Sequence, residues 1–207
     1  KLDLNVSIQN DNCLRYSGLI IKDLKIKESP DWLKKRLTSI GVKSINNVVD
    51  ITNYVLHDIG QPLHAFDYNK INGKEIIVRN ARSGENIVTL DEINRDLNNE
   101  DLLICNDKNP MCIAGVMGGI ESSVNSGTKS IFLESALFDQ ISVRKSAKNH
   151  SISSDASFRF ERGVDPSITI KSLKYAASLI SYICETKEIS EIIDIYPQEV
   201  IDKEINF

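Results

Sequence analysis

The chain alternates between two hydrophobic rhythms. Residues 13–26, CLRYSGLIIKDLKI, follow a period of two and are rich in β-branched and aromatic types, which predicts a strand. Ser29 and Pro30 then form a suitable N-cap and first-turn pair for a helix over DWLKKRLTSI, stopped by Gly41. Trp32, Leu33, Leu37 and Ile40 fall on one face of that helix. A second helix is expected from Asn46 to His57, with Ile45, Val48, Val49, Thr52, Val55 and Leu56 on its buried side and Gly60 at its end. The stretch GQPLHAFD, 60–67, is then a loop after a helix, with His64 at a turn where the backbone is irregular.

The period of two returns downstream. Strands are predicted at 75–81, 85–90, 101–106 and 111–119. The polar stretch DEINRDLNNE, 91–100, reads as the turn of a hairpin joining the second and third of these. Residues 129–138 give another strand, and 142–150 a short basic helix. The longest helical pattern is 166–185, opened by Pro166, with Leu173, Ala176, Ala177, Ile180 and Ile183 on its apolar side. A strand over 189–197, stopped by Pro197, closes the series. Helices and strands mix without a βαβ repeat. The expected class is α+β: mixed, largely antiparallel sheets or a partial barrel flanked by helices, with two intertwined subdomains in one compact unit. The expected division is a flank at 1–12, a domain at 13–197 and a second flank at 198–207.

Composition narrows the function classes. With 207 residues and 41% hydrophobic positions, the chain can bury a core of its own. The net charge of -4 argues against gripping a long nucleic acid by charge alone, though not against touching a strand end. Charge is also uneven. From Ile141 to Gly163, Arg144, Lys145, Lys148, Arg159 and Arg162 face only Asp155 and Glu161. No apolar run is long enough for a membrane helix, and no charged-then-apolar leader pattern appears in these residues, so no secretory protein is expected. The first residue is Lys1, so a piece of a longer chain is expected. Cys13, Cys105, Cys112 and Cys184 lack metal spacing and are expected as reduced, packed thiols, which points to a cytoplasmic protein.

Four features carry candidate chemistry. His64 is a lone imidazole, a type that more often caps a helix or bonds a carbonyl than catalyses. AGVMGG, 114–119, lets backbone approach a ligand, with amides free to hold an oxyanion, or it is a bulge. Glu134 in IFLESALF is a carboxyl among apolar neighbours, alternating with Phe132 and Ala136 on one strand face. It faces either water or a pocket. SSDASFRFERGVDP, 153–166, combines small residues with Arg159 and Arg162, and its five charges also suit an internal ion-pair network. No serine or cysteine nucleophile and no metal cage stand out. Catalysis, if present, positions a water against an activated bond such as an ester.

Taken in order, VVDITNYVLHDIGQPLHAFD, AGVMGG, FLESALFD and SDASFRFERGVDP resemble the editing region, the third and fourth modules, of the beta subunit of bacterial phenylalanyl-tRNA synthetase. The resemblance runs from about residue 13 to 197. It implies hydrolysis of tyrosine wrongly esterified to phenylalanine tRNA. It also implies partners: the acceptor end of that tRNA, the tyrosine moiety, and the alpha subunit in the full enzyme. No cofactor is implied for this region, ATP and magnesium belonging to the aminoacylation site elsewhere. By resemblance, Glu134 binds the phenolic hydroxyl and His64 sits at the ester end. Thr52 and Asn53 give pocket contacts, Gly118 lines the wall, and Ser154 and Ala156 bound the pocket. Ser154 stands where threonine is expected in relatives. None of these is a strong base at neutral pH, so the terminal ribose hydroxyl of the tRNA is expected to help activate the water. The alternative is a non-catalytic module that braces the synthetase or contacts tRNA.

Overall fold

The computed structural model describes residues 4–186, 188–197 and 199. The flank expected at 198–207 lies outside them, Glu199 excepted, as do Lys1 to Asp3. The chain runs β1 (Asn5–Ile8), β2 (Cys13–Lys22), α1 (Asp31–Ser39), α2 (Asn47–Ile59), β3 (Leu63–Asp67) and β4 (Glu75–Asn80). It continues through β5 (Asn86–Val88), β6 (Asn94–Asp96), β7 (Leu102–Cys105), β8 (Pro110–Ile113), β9 (Met117–Gly118) and β10 (Ile131–Phe138). Next come α3 (Gln140–Asn149), α4 (Asp155–Phe160), α5 (Thr169–Ile183), β11 (Glu188–Ile189) and β12 (Ile193–Ile195).

Among the described residues the strands form two larger sheets and a small ribbon. One sheet has the order β1-β4-β7-β8-β9, parallel only between β1 and β4. The other has the order β11-β2-β10-β3, antiparallel throughout, with β12 also on β2. The α+β class and the antiparallel bias are as expected.

Strand β10 is central, and every one of its residues is buried. A strand covered on both faces has no polar side, so its run is nearly all apolar. Ile131 and Leu133 point to a layer of α1, α2 and α5, where they join Leu19, Ile21, Leu37, Ile51 and Ile180. Phe132, Ala136 and Phe138 point the other way, to Tyr16, Phe66 and the first sheet. Period two places Glu134 on this second face, beside Phe132 and Ala136 as the sequence predicted. The sheet is therefore the wall between two cores.

Gly18, on β2, pairs with Glu134 on β10. A Cβ at Gly18 would stand 2.1 Å from Phe132 Cζ. Gly18→Ala is expected to destabilise the protein by about 1–3 kcal/mol, the usual cost of overpacking, measured by urea unfolding.

Several local expectations change. Ser29 does not cap α1; Pro30 holds the N-cap position and the Ser29 hydroxyl donates to buried Asp50. That carboxylate also accepts from Ser44 and from the Ile45 amide, so it ties the loop between α1 and α2 together. Trp32 and Ile40 stay exposed while Leu33 and Leu37 are buried, because the helix is covered on a narrow stripe. Ile45 precedes the N-cap Asn46 and is exposed; Ile51 takes the core position instead. Gly60 ends α2 in the left-handed region, φ 86°, as glycine allows. The hairpin expected between 85–90 and 101–106 forms within 86–96, where β6 lies inside the stretch read as turn. The strand expected over 111–119 breaks at Gly115, φ 70°, into β8 and β9. The closing strand likewise splits into β11 and β12.

Candidate functional site

His64 is not in an irregular loop. The turn ends at Pro62, and His64 is the second residue of β3. The cross-strand partner of His64 is Glu134. Directly opposed residues on antiparallel strands have Cβ atoms roughly 5 Å apart on one face. Register alone thus brings the imidazole and the carboxyl together, although 70 residues of sequence separate them.

Both groups line a cavity of about 300 Å³ between the two sheets. Thr52 and Asn53 reach it from α2, Gly118 from β9, and Ser154 and Ala156 from the start of α4. All seven sequence-predicted residues therefore share one hollow. Leu63, Leu90, Val116, Phe138 and Phe160 supply its apolar wall. A larger hollow of about 550 Å³ opens among Asn69, Asn86, Asn106 and Glu121, and holds none of the seven. The smaller one is the stronger candidate because it gathers the perturbed titratable groups in an apolar wall.

Burial pushes the Glu134 carboxyl up to about 8, from an ordinary 4.5, and the hydrogen bond from Tyr16 opposes this only in part. The Tyr16 hydroxyl donates to Glu134 Oε2 at 2.6 Å. At neutral pH the carboxyl is mostly protonated, so it offers a proton as well as a lone pair. Burial likewise pushes His64 down to about 4, so the imidazole is neutral at pH 7. Its Nε2 is enclosed and has no hydrogen-bond partner among the described residues. The ring meets Phe66 edge to face at 4.4 Å. Gly118 is the other contact: a Cβ there would lie 2.5 Å from His64 Cε1. Only a glycine admits the ring at this distance.

The remaining groups hold the frame. The Ser154 hydroxyl donates to the Val116 carbonyl at 2.7 Å and accepts from the Ser157 amide at 3.0 Å. It caps α4 and ties that helix to the glycine loop, so its hydroxyl is already committed. No element was expected over these residues. Thr52 donates to the Val49 carbonyl one turn back. The amides of 114–119 are not a free set: Ala114 donates to Leu102, Val116 to Ile113 and Gly119 to Met111. The internal charge network expected over 153–166 is also mostly missing. Glu161 pairs with Arg162, but Asp155 faces His57 at 3.6 Å and Asp165 caps Ser167. Arg159 has no ion pair among the described residues. His150 is structural, bonded at 2.7 Å to buried Asp101. All four cysteines are buried and free.

Sequence reasoning missed Tyr16, Cys112, Phe138 and Phe160 around the cavity. The alternation of β2 and β10 carried the signal for Tyr16 and Phe138, because both lie on the face that Glu134 occupies.

These features define an α+β domain with one carboxyl and one imidazole in a small apolar hollow between its layers. The chain belongs to the B3/4 domain family, whose profile matches residues 12–185. Close relatives are phenylalanine–tRNA ligase beta subunits, so the chain corresponds to the B3/4 region of that aminoacyl-tRNA synthetase subunit. The subunit of Bacteroides fragilis is 51% identical over 195 residues, which is 94% of this chain and 24% of the relative. That of Carboxydothermus hydrogenoformans is 44% identical over 203 residues, 98% of this chain and 25% of the relative. The chain thus spans about a quarter of the curated relatives it matches. An N-terminal fragment of the phenylalanyl-tRNA synthetase beta subunit from Pyrococcus horikoshii shares the fold, with a TM-score of 0.58 at 12% identity, covering 97% of this chain and 56% of the other. Among the described residues no helix is long and apolar enough to cross a membrane.

Proposed function

We propose that this domain edits: it hydrolyses the ester of tyrosine wrongly attached to phenylalanine tRNA, as part of a cytoplasmic phenylalanine–tRNA ligase. The observation that carries the reading is the pairing of Glu134 with His64 across β10 and β3, inside a hollow with apolar walls. A pocket built for phenylalanine rejects one added hydroxyl poorly, so a second site that requires the hydroxyl is the chemical remedy. Glu134 is that requirement. Tyrosine gives the buried carboxyl a partner, whereas phenylalanine strips its water and returns nothing.

His64 sits beside the carboxyl and is neutral, with a ring nitrogen lacking a partner. A neutral imidazole orients a water or the ester by hydrogen bonding but is a weak base when its pKa is about 4. The ester is already activated, and the adjacent ribose hydroxyl of the tRNA end shares the proton transfer. Thr52 and Asn53 close one side; Ser154 holds Ala156 and the glycine loop against the other. Arg159 stands on α4, which packs against α3 with its exposed Arg144 and Lys148, and these charges suit the acceptor-end phosphates. The alpha subunit and the rest of the tRNA surface belong to the longer assembly.

The test is deacylation of phenylalanine tRNA charged with tyrosine or with phenylalanine. The expected result is faster release of tyrosine by the chain, or by a synthetase carrying it, than by the same synthetase without it. Equal release with and without the domain supports the bracing module instead.

A further inference from the structure

Glu134 lines the cavity, but what fixes its carboxyl lies behind it. Tyr16 is fully buried on β2, on the same face as Glu134, and is not part of the cavity lining. Register places Tyr16 opposite Ala136 and leaves Gly18, with no side chain, opposite Glu134. The ring of Phe132 fills the space over Gly18, its Cζ 2.1 Å from where a Cβ would stand. The Tyr16 hydroxyl crosses diagonally to Glu134, which the spacing of same-face neighbours permits. Oε2 of Glu134 accepts the Tyr16 hydroxyl at 2.6 Å, while Oε1 has no hydrogen bond among the described residues.

We propose that Tyr16 is the positioning residue of the specificity carboxyl: its hydroxyl occupies Oε2 and assigns Oε1 to the hydroxyl of an aromatic ligand. The inference rests on the editing reading and deepens it. A carboxyl held at one oxygen cannot swing, so the other meets the ligand at a fixed depth in the hollow. Where the proton resides also follows. Oε2 already accepts from Tyr16, so a protonated Glu134 carries its proton on Oε1. It then donates to the phenolic oxygen, and loses that role once it ionises.

The titratable groups facing Glu134 leave this proton in place. Cys13 and Tyr16 on β2 and Cys112 on β8 are all buried, and burial raises all three, so they are neutral at pH 7. His64 on β3 is neutral as well. Asp155 on α4 lines the same cavity and sits at 3.6 Å from His57. Among the described residues no cation stands against Glu134 to pull its pKa back below neutral, and the carboxyl stays up at about 8.

Two experiments test the assignment. On the unaltered chain, infrared difference spectra at pH 6.5 with tyrosine and with phenylalanine follow the carboxyl directly. The expected result is a shift in the carbonyl stretch of a protonated carboxyl with tyrosine alone. Movement of carboxylate bands only would overturn the proton assignment. In Tyr16→Phe, the KM for the tyrosyl ester is expected to rise about 10-fold with little change in kcat, the size expected when a buried polar group loses its partner. The pH at which tyrosine preference fades should also move upward, because the lost hydrogen bond had favoured the ionised carboxyl. Glu134→Ala separates the two levels. If Glu134→Ala removes tyrosine preference but Tyr16→Phe leaves KM and pH midpoint unchanged, Tyr16 is not the positioning residue. If Glu134→Ala keeps the preference, the editing reading itself fails.

Discussion

Replacing Glu134 with alanine is expected to cut the tyrosine-over-phenylalanine preference by about 10–100-fold, corresponding to one buried hydrogen-bonding group worth ~1–3 kcal/mol. The change removes the polar partner of the phenol from a hollow whose other walls are Leu63, Val116, Phe138 and Phe160. Phenylalanine release should rise or hold, since nothing is then left unpaired when it binds. Tyrosine release should fall. Glu134→Gln is the sharper control. A protonated carboxyl and an amide are close in shape, and each has one donor and one acceptor side. With the carboxyl up at about 8, glutamine should keep most of the preference at pH 7. A site that worked through a carboxylate would lose it. The measurement is deacylation of the two esters by each variant over pH 6 to 9.

Ala156→Trp is expected to stop deacylation of both esters, by at least about 100-fold, because the ligand no longer fits. Ala156 is a partly buried residue in the first turn of α4 and faces a hollow of about 300 Å³, the lower end of small-molecule sites at ~300–1,000 Å³. An indole there fills much of that space. The cap at Ser154 and the core residue Phe160 are untouched, so the helix should stay in place. Circular dichroism and the thermal midpoint should therefore change little while activity is lost. Ala156→Ser, adding one small atom, should leave most activity. The two variants together separate steric closure from damage to the fold.

The contrast between what the sequence showed and what it hid is physical. Helix α5 was legible as an apolar stripe of helical period, and strand β10 as a short, nearly all-apolar run. The alternation of side chains along any strand then put Glu134 on the face of Phe132 and Ala136. What one sequence cannot carry is register. The pairing of His64 with Glu134 depends on how β3 aligns with β10, and a slip of one residue would send the imidazole to the helical layer. Before register is known, His64 looks like a turn residue. The resemblance bridged that gap by position, not by geometry.

Other misses have local causes. Asp50 competes for the Ser29 hydroxyl, so the expected cap of α1 is used across the loop. In 85–100 the turn signal was real but its residues include β6, whose Arg95 is held by Asp91 beside it. Helix α4 went unassigned because its stabilisation lies in the Ser154–Ser157 capping box, not in an apolar stripe. Gly118 shows the opposite limit. Glycine spacing alone favoured a bulge, and only the ring of His64 beside it gives the missing side chain a purpose.

The most direct test is a structure of the domain with tyrosine bound. The phenolic oxygen is expected within hydrogen-bonding distance of Glu134 Oε1, with Tyr16 still on Oε2 and the amino-acid carboxyl near His64. Tyrosine lodged elsewhere, or seated in this hollow with its hydroxyl turned away from Glu134, would contradict the account.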